Sequence, residues 1–505
     1  MSGLRARWDD PAVRQRLTRL LTASVAVVLI AWYGAFALER YDSSHLYGDE
    51  PEYFFTGESV WEDGDLDLRN QFLDPDLRAF PGPLTFKVDP AGGPSPANFM
   101  PTNGVVLVQP ANAVGGVLGV YLLFAAMNLA SLLLLFIVLR RTFGEPVAAL
   151  AILLVGLSVP LAWHAASVWT EVPALLAISG VLAIAPRIGC SARAATVAGL
   201  ALAALPWLHQ KYLPLAVGLA VAVLLPAARR RFWPLVVGGP LLGFAGTVVF
   251  SYATRDRWNF TISGSTEEIS SAFDGSLNRF LRQPLAWFLD QTRGSIPLSP
   301  IWILAGVGLV FLLRFPRGRR IVATLAVAFV PFLVVYFWGP FLAGDSPPGR
   351  ETLPAIPALA IMLAAGISAL RGVLAWTVTA ALAAVSLAIT MIAPFRLGFD
   401  IMFNNVGRPK VLDSLATARF TPADLWPQMT AVPGQWSVSA LLMSLIAVLA
   451  VGGVIYQASR ARAAEGARPW TLAGEPTARL RRAEIADGLR AVRPGAGRRA
   501  RREAP

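Results

Sequence analysis

Residues 194–228 read AATVAGLALAALPWLHQKYLPLAVGLAVAVLLPAA, and how these 35 residues cross a membrane decides the fold. An α-helix needs about 20 apolar residues to span roughly 30 Å of hydrocarbon. The stretch is therefore long for one crossing and short for two. Its flanks settle the count, because Arg193 and the run Arg229 to Arg231 must share a side if basic residues stay cytoplasmic, and that requires an even number of crossings. Two short helices joined by His209-Gln210-Lys211-Tyr212 meet the requirement and hold a polar turn below the headgroups. Polar groups at that depth are kept where they line a functional cavity.

Outward from this stretch the chain keeps the same character. It has 505 residues, 55% of them hydrophobic and 15% charged, with a mean hydropathy of +0.54. That balance excludes a water-soluble enzyme. A single cysteine, Cys190, allows no internal disulfide, and three histidines (His45, His164, His209) leave little for a histidine-based metal site. Apolar stretches near 20 residues recur between arginine clusters, and they predict an all-α integral membrane protein of about twelve transmembrane helices. They run roughly over 20–38, 118–139, 146–165, 167–186, 194–208, 212–228, 233–252, 297–313, 321–338, 353–370, 373–393 and 437–457.

With the amino terminus cytoplasmic, 29 of the 44 basic residues fall inside, where the net charge is +21 against −9 outside. The net +12 of the whole chain therefore signals a sided membrane protein and not a nucleic-acid binder, and it places both termini in the cytoplasm. Residues 1–19 form the cytoplasmic start, and the first apolar run is too long for a cleaved signal, so it reads as a retained helix. The transmembrane region covers 20–457, with outer loops at 39–103, 253–296 and 394–436. The tail 458–505 is Ala/Arg/Gly-rich and reads as a disordered basic arm drawn to anionic membrane lipids. Arginine- and alanine-rich composition fits a GC-rich bacterial genome, whose plasma membrane would house the chain.

The first outer loop holds 13 acids against four bases, densest at Gly48-Asp49-Glu50-Pro51-Glu52-Tyr53. Pro51 suits the first position of a helix and Glu52 its dipole, while clustered carboxylates near a bilayer raise one another's pKa and suit a general base. Short interfacial helices are expected here. Asp63-Gly64-Asp65-Leu66-Asp67 has alternating carboxylates but lacks the glycine and glutamate of a calcium loop, so a solvated turn is expected. Glu171 stands in Val168-Trp169-Thr170-Glu171-Val172-Pro173 at the outer mouth of the fourth helix. Outer-side bases complement these acids: Lys211, Arg293 and Arg350 each end a predicted membrane helix at phosphate depth. Singly they read as snorkelling anchors, and together as an anionic site. Residues 277–288 predict an amphipathic helix along the membrane surface.

The acidic start of the first loop, the glutamate-proline of helix four and the lysine between two short helices together resemble the GT-C superfamily. These are membrane glycosyltransferases that use polyprenyl-phosphate-linked sugars, such as protein O-mannosyltransferases and aminoarabinose transferases. The resemblance implies that Asp49 is the base that deprotonates the acceptor, with Glu50 as its partner. It implies that Lys211, with His209 and Tyr212 in the same turn, contacts the donor, and that Arg350 and Arg293 add positive charge. It leaves open a divalent metal at Asp49, Glu50 and Glu171, as some relatives use one; no other cofactor is expected. With no soluble outer domain in the tail, the expected acceptor is lipid-linked or a cell-envelope glycan, and no nucleic acid is a partner. The competing readings are a twelve-helix secondary transporter, disfavoured by the lack of two related halves, and a polymerase or ligase of lipid-linked glycans.

Overall fold

Each of the twelve apolar segments contains a helix, because a backbone in hydrocarbon must satisfy its own hydrogen bonds. This computed structural model describes residues 10–43, 46, 48–73, 101–255, 277–338, 347–397, 410–414, 416–417, 421–427 and 438–464. Among them no strand occurs. Eight helices are long and apolar enough to cross a membrane: Pro11–Ser43, Asn103–Phe143, Glu171–Ile188, Ala227–Ala253, Pro316–Phe337, Arg350–Ala369, Gly372–Met391 and Ala440–Arg460. Four shorter apolar helices, Glu145–Gly156, Ala192–Leu208, Gln210–Leu224 and Pro300–Leu313, stand where the other four crossings were expected. The chain is an all-α, multi-pass membrane protein.

In chain order the principal helices are α1 (Pro11–Ser43), α2 (Glu50–Glu58), α3 (Gln109–Phe143), α4 (Glu145–Gly156), α5 (Glu171–Ile188), α6 (Ala192–Leu208) and α7 (Leu213–Leu224). They continue as α8 (Trp233–Arg255), α9 (Leu277–Leu289), α10 (Ile303–Leu313), α11 (Pro316–Trp338), α12 (Ile356–Ala369), α13 (Gly372–Leu397) and α14 (Val438–Ala464). The broadest packing pairs α6 with α8, α10 with α12, α7 with α11, and α5 with both α3 and α6. Lipid tails are as apolar as leucine, so such pairs depend on close packing, which small residues permit. Gly199 and Gly239 let α6 and α8 touch backbone to backbone, since a Cβ on Gly239 would stand 2.0 Å from the Gly199 carbonyl oxygen. Every residue of α12 but Met362 is buried, which makes it the central helix. Outward faces remain apolar, as at Val27, Ile30, Leu241, Leu242, Ile446 and Leu449.

One expected helix is shorter than its apolar run. The segment expected to span 146–165 ends at Gly156, and residues 157–170 form an irregular, wholly buried crossing of the bundle. Pro160 removes a backbone donor, and the freed polar groups find partners on other helices. Tyr33 Oη donates to the Gly156 carbonyl at 3.2 Å, and Trp302 Nε1 to that of Val159 at 2.7 Å. Ser299 accepts from Val159 N–H at 2.9 Å, and Asn128 Nδ2 donates to the His164 and Ala165 carbonyls at 2.9 and 3.1 Å. This segment leads directly into Glu171.

The first loop does contain short helices, and α2 is packed into the protein: Glu50 to Gly57 are all buried. Gly104 lets the following π-turn press on it, since a Cβ there would meet the Tyr53 carbonyl at 2.3 Å. Asp63, Asp65 and Asp67 cap their own loop, Asp65 Oδ1 accepting from Ser59 Oγ at 2.9 Å and from Asp67 N–H at 3.0 Å. Helix α9 docks by its end instead of lying free, with Trp287 4.9 Å and 5.3 Å between ring centroids from Phe337 and Tyr336 of α11. The side chains of Leu277, Phe280 and Leu281 lie outside the described residues, as do His45, Tyr47 and the tail from residue 465.

Candidate active site

Glu171 is the first residue of α5, where unpaired N–H groups and the helix dipole favour a carboxylate. It is fully buried, so its charge requires partners. Lys211 supplies one at 2.5 Å. The lysine comes from the 3-10 turn Gln210–Tyr212 between α6 and α7, where His209 adopts an extended backbone and its Nδ1 accepts the Lys211 N–H at 3.1 Å. That bond requires an unprotonated Nδ1. Tyr212 is buried under the turn, its hydroxyl 3.4 Å from that of Thr170. Pro206 and Pro214 flank the turn, consistent with helices that stop short of a full span.

Arg350 supplies the second partner, its Nε 3.1 Å from the same Glu171 oxygen, Oε1. It follows Gly349, whose φ of +77° suits glycine and whose missing side chain leaves room for Pro160, which a Cβ would meet at 2.7 Å. The guanidinium lies 3.6 Å over the Trp169 ring, a stacked cation–π contact that holds it flat. From there Nη2 reaches Asp49 Oδ2 at 2.8 Å. Asp49 caps α2 without a side-chain cap bond, which leaves its carboxylate for this contact.

Four residues far apart in sequence thus form one chain of contacts, Asp49 to Arg350 to Glu171 to Lys211. Side-chain exposure rises from 0% at Glu171 through 10% at Lys211 and 16% at Arg350 to 29% at Asp49, so the carboxylate of Asp49 is the most exposed of the four. Tyr53 packs beneath it; burial first, with Asp49 adding, holds its phenol well above the ordinary value, so it stays protonated. A groove of about 650 Å³ lies at the end of α6, lined by Val60, Leu66, Val105, Val106, Trp207 and Phe250. Trp207 precedes Lys211 by four residues.

Two expected members lie elsewhere. Arg293 faces Glu351 at 4.0 Å, because the 3-10 turn that begins at Arg350 sends two consecutive charged side chains to different partners. Glu50 is in a fully buried ion pair with Arg40, and its Oε1 accepts the Val168 N–H at 2.8 Å. Asp49, Glu50 and Glu171 therefore do not converge on a metal site, and among the described residues no group of three or more histidine, cysteine, aspartate or glutamate side chains could hold an ion. The sequence gives Arg40 and Trp169 no role: Arg40 looks like an ordinary helix-end anchor, and only the place of Trp169 two residues before Glu171 marks the tryptophan.

No family model and no curated protein matches the chain. In solved structures it is similar to the oligosaccharyltransferase of Archaeoglobus fulgidus. The apo crystal structure aligns at a TM-score of 0.39 and 13% identity, over 87% of this chain and 56% of that one. The same archaeal enzyme, AglB, in complex with an inhibitory peptide and a dolichol-phosphate, aligns at 0.40 and 12%, over 89% and 56%. The chain spans a little over half the length of that protein. Those neighbours belong to the GT-C superfamily, the one that the sequence motifs resemble. At these scores the likeness is one of general layout and assigns no residue a role.

Proposed function

We propose that the chain is a membrane glycosyltransferase, moving a sugar from a polyprenyl-phosphate donor to a lipid-linked or cell-envelope glycan acceptor on the extracytoplasmic face of a bacterial plasma membrane. The observation that carries this reading is the contact chain itself: a partly open carboxylate, Asp49, at one end and two cations, Arg350 and Lys211, held beside it by one buried anion.

In the reaction the acceptor hydroxyl gives its proton to Asp49 while its oxygen attacks the anomeric carbon. The bond from that carbon to phosphate oxygen breaks, and the electron pair leaves with polyprenyl phosphate. A single displacement inverts the anomeric centre. The phosphate needs no acid, but fixed positive charge where its negative charge develops lowers the barrier. An ammonium carries three donors and a guanidinium five, so Lys211 and Arg350 can keep Glu171 and still meet phosphate oxygens. The apolar groove at Trp207 suits the first isoprene units.

The test is turnover by purified protein in lipid nanodiscs with a panel of radiolabelled polyprenyl-phosphate sugars. Asp49→Asn should lower turnover about 10²- to 10⁴-fold, the usual contribution of a general base. Wild-type turnover in that variant would remove the proposed base, and substrate transport without sugar transfer by the wild type would replace the reading with a transporter.

A further inference from the structure

Two adjacent carboxylates, Asp49 and Glu50, meet different cations, and the second pair is closed on every side. Arg40 is 1% exposed and Glu50 0%. Arg40 Nη2 pairs with Glu50 Oε2, and Nη1 donates to Ser167 Oγ at 3.1 Å. The guanidinium also lies 5.0 Å from the Tyr121 ring centroid. Glu50 in turn accepts the Val168 N–H at 2.8 Å, and Asn103 Nδ2 donates to the Val168 carbonyl at 3.2 Å. One ion pair thus joins the outer end of α1, the start of α2, and the irregular segment that presents Trp169 and Glu171.

We propose that Arg40 and Glu50 are positioning residues for the site described above: their pair sets the start of α2, and so Asp49, in register with the Trp169–Glu171 segment on which Arg350 rests. Glu50 touches no substrate. Its backbone follows Asp49 by one residue and its side chain accepts the N–H of Val168, one residue before Trp169 and three before Glu171, so a shift on either side of the pair moves the base relative to Arg350. The proposal rests on the glycosyltransferase reading for its effect on turnover, but not for its effect on the position of α2.

The pair is tested in the full chain in nanodiscs with the double variant Arg40→Met with Glu50→Met, because apolar side chains of similar volume avoid leaving one buried charge alone. Backbone hydrogen exchange and turnover are both read. The expected result is an unchanged unfolding temperature, faster exchange at residues 50–58, and turnover lower by roughly 10- to 100-fold with the donor KM unchanged, as a misplaced catalytic group gives. The single Arg40→Lys variant, which keeps the charge on Glu50, should recover part of the turnover. Wild-type exchange at 50–58 in a folded double variant overturns the proposal whatever the activity. Faster exchange with wild-type turnover also overturns it. If the wild type itself transfers no sugar, the glycosyltransferase reading fails, and the exchange result still decides whether the pair positions α2.

Discussion

Asp49 and Glu50 are neighbours in sequence with the same charge, yet one side chain is 29% exposed and the other 0%. Each meets an arginine. Arg350 is itself shared with Glu171 and open at its edge, whereas Arg40 is enclosed by Ser167, Tyr121 and Glu50. The difference separates two uses of charge in a membrane protein. A closed pair in a low dielectric fixes geometry and fails badly when one partner is lost. An open one can exchange a partner for a ligand.

Substitutions at the two positions should therefore fail in opposite ways. Asp49→Asn loses turnover and keeps its fold, with about 1 kcal/mol or less of stability at stake for a pair that solvent reaches. Glu50→Gln strands Arg40 and should lower stability by about 3–5 kcal/mol, read as thermal unfolding in detergent. Equal stability losses at the two sites would erase the distinction. Glu171→Gln tests the open cluster from within: it leaves Lys211 and Arg350 without their common anion, and a loss of about 3 kcal/mol is expected. Added polyprenyl phosphate should restore much of that loss, since a ligand that binds only the folded state stabilises it. No rescue by the lipid would mean that the two cations do not take phosphate.

Smaller effects sharpen the map. Lys211→Ala removes a charged donor worth about 1.5–3 kcal/mol. The loss should appear in donor affinity, measured by lipid titration, and leave acceptor affinity unchanged. Arg293→Gln breaks a buried 4.0 Å pair with Glu351 and should lower stability without loss of donor binding. A donor defect at Arg293 as large as at Lys211 would place the phosphate on the other face of the 350–351 turn.

Much of this arrangement could be read from residue order. The apolar runs and the flanking arginines mark the helices, and the interrupted stretch around Lys211 marks a polar turn that does lie beside Glu171. Two things were hidden. Helix α4 stops at Gly156 although residues 157–166 are mostly apolar, because whether Pro160 kinks or ends a helix depends on partners such as Trp302 and Asn128. The roles of Asp49 and Glu50 were merged for the same reason. A run of carboxylates says nothing of which one meets a buried arginine, and Arg40 reaches Glu50 only because α1 ends beside Ser167. Arg350 and Glu351 part in the same way: adjacent charges on a tight turn point apart, and the direction each takes is set by Trp169 on one side and Arg293 on the other.

The most direct test is a structure of the protein in nanodiscs with polyprenyl phosphate bound. The phosphate should lie within hydrogen-bonding distance of Lys211 Nζ and the Arg350 guanidinium, with its prenyl chain toward Trp207. A phosphate seated at Arg293, or at Arg229 to Arg231 at the other end of the bundle, would contradict the assignment of the open cluster as the donor site.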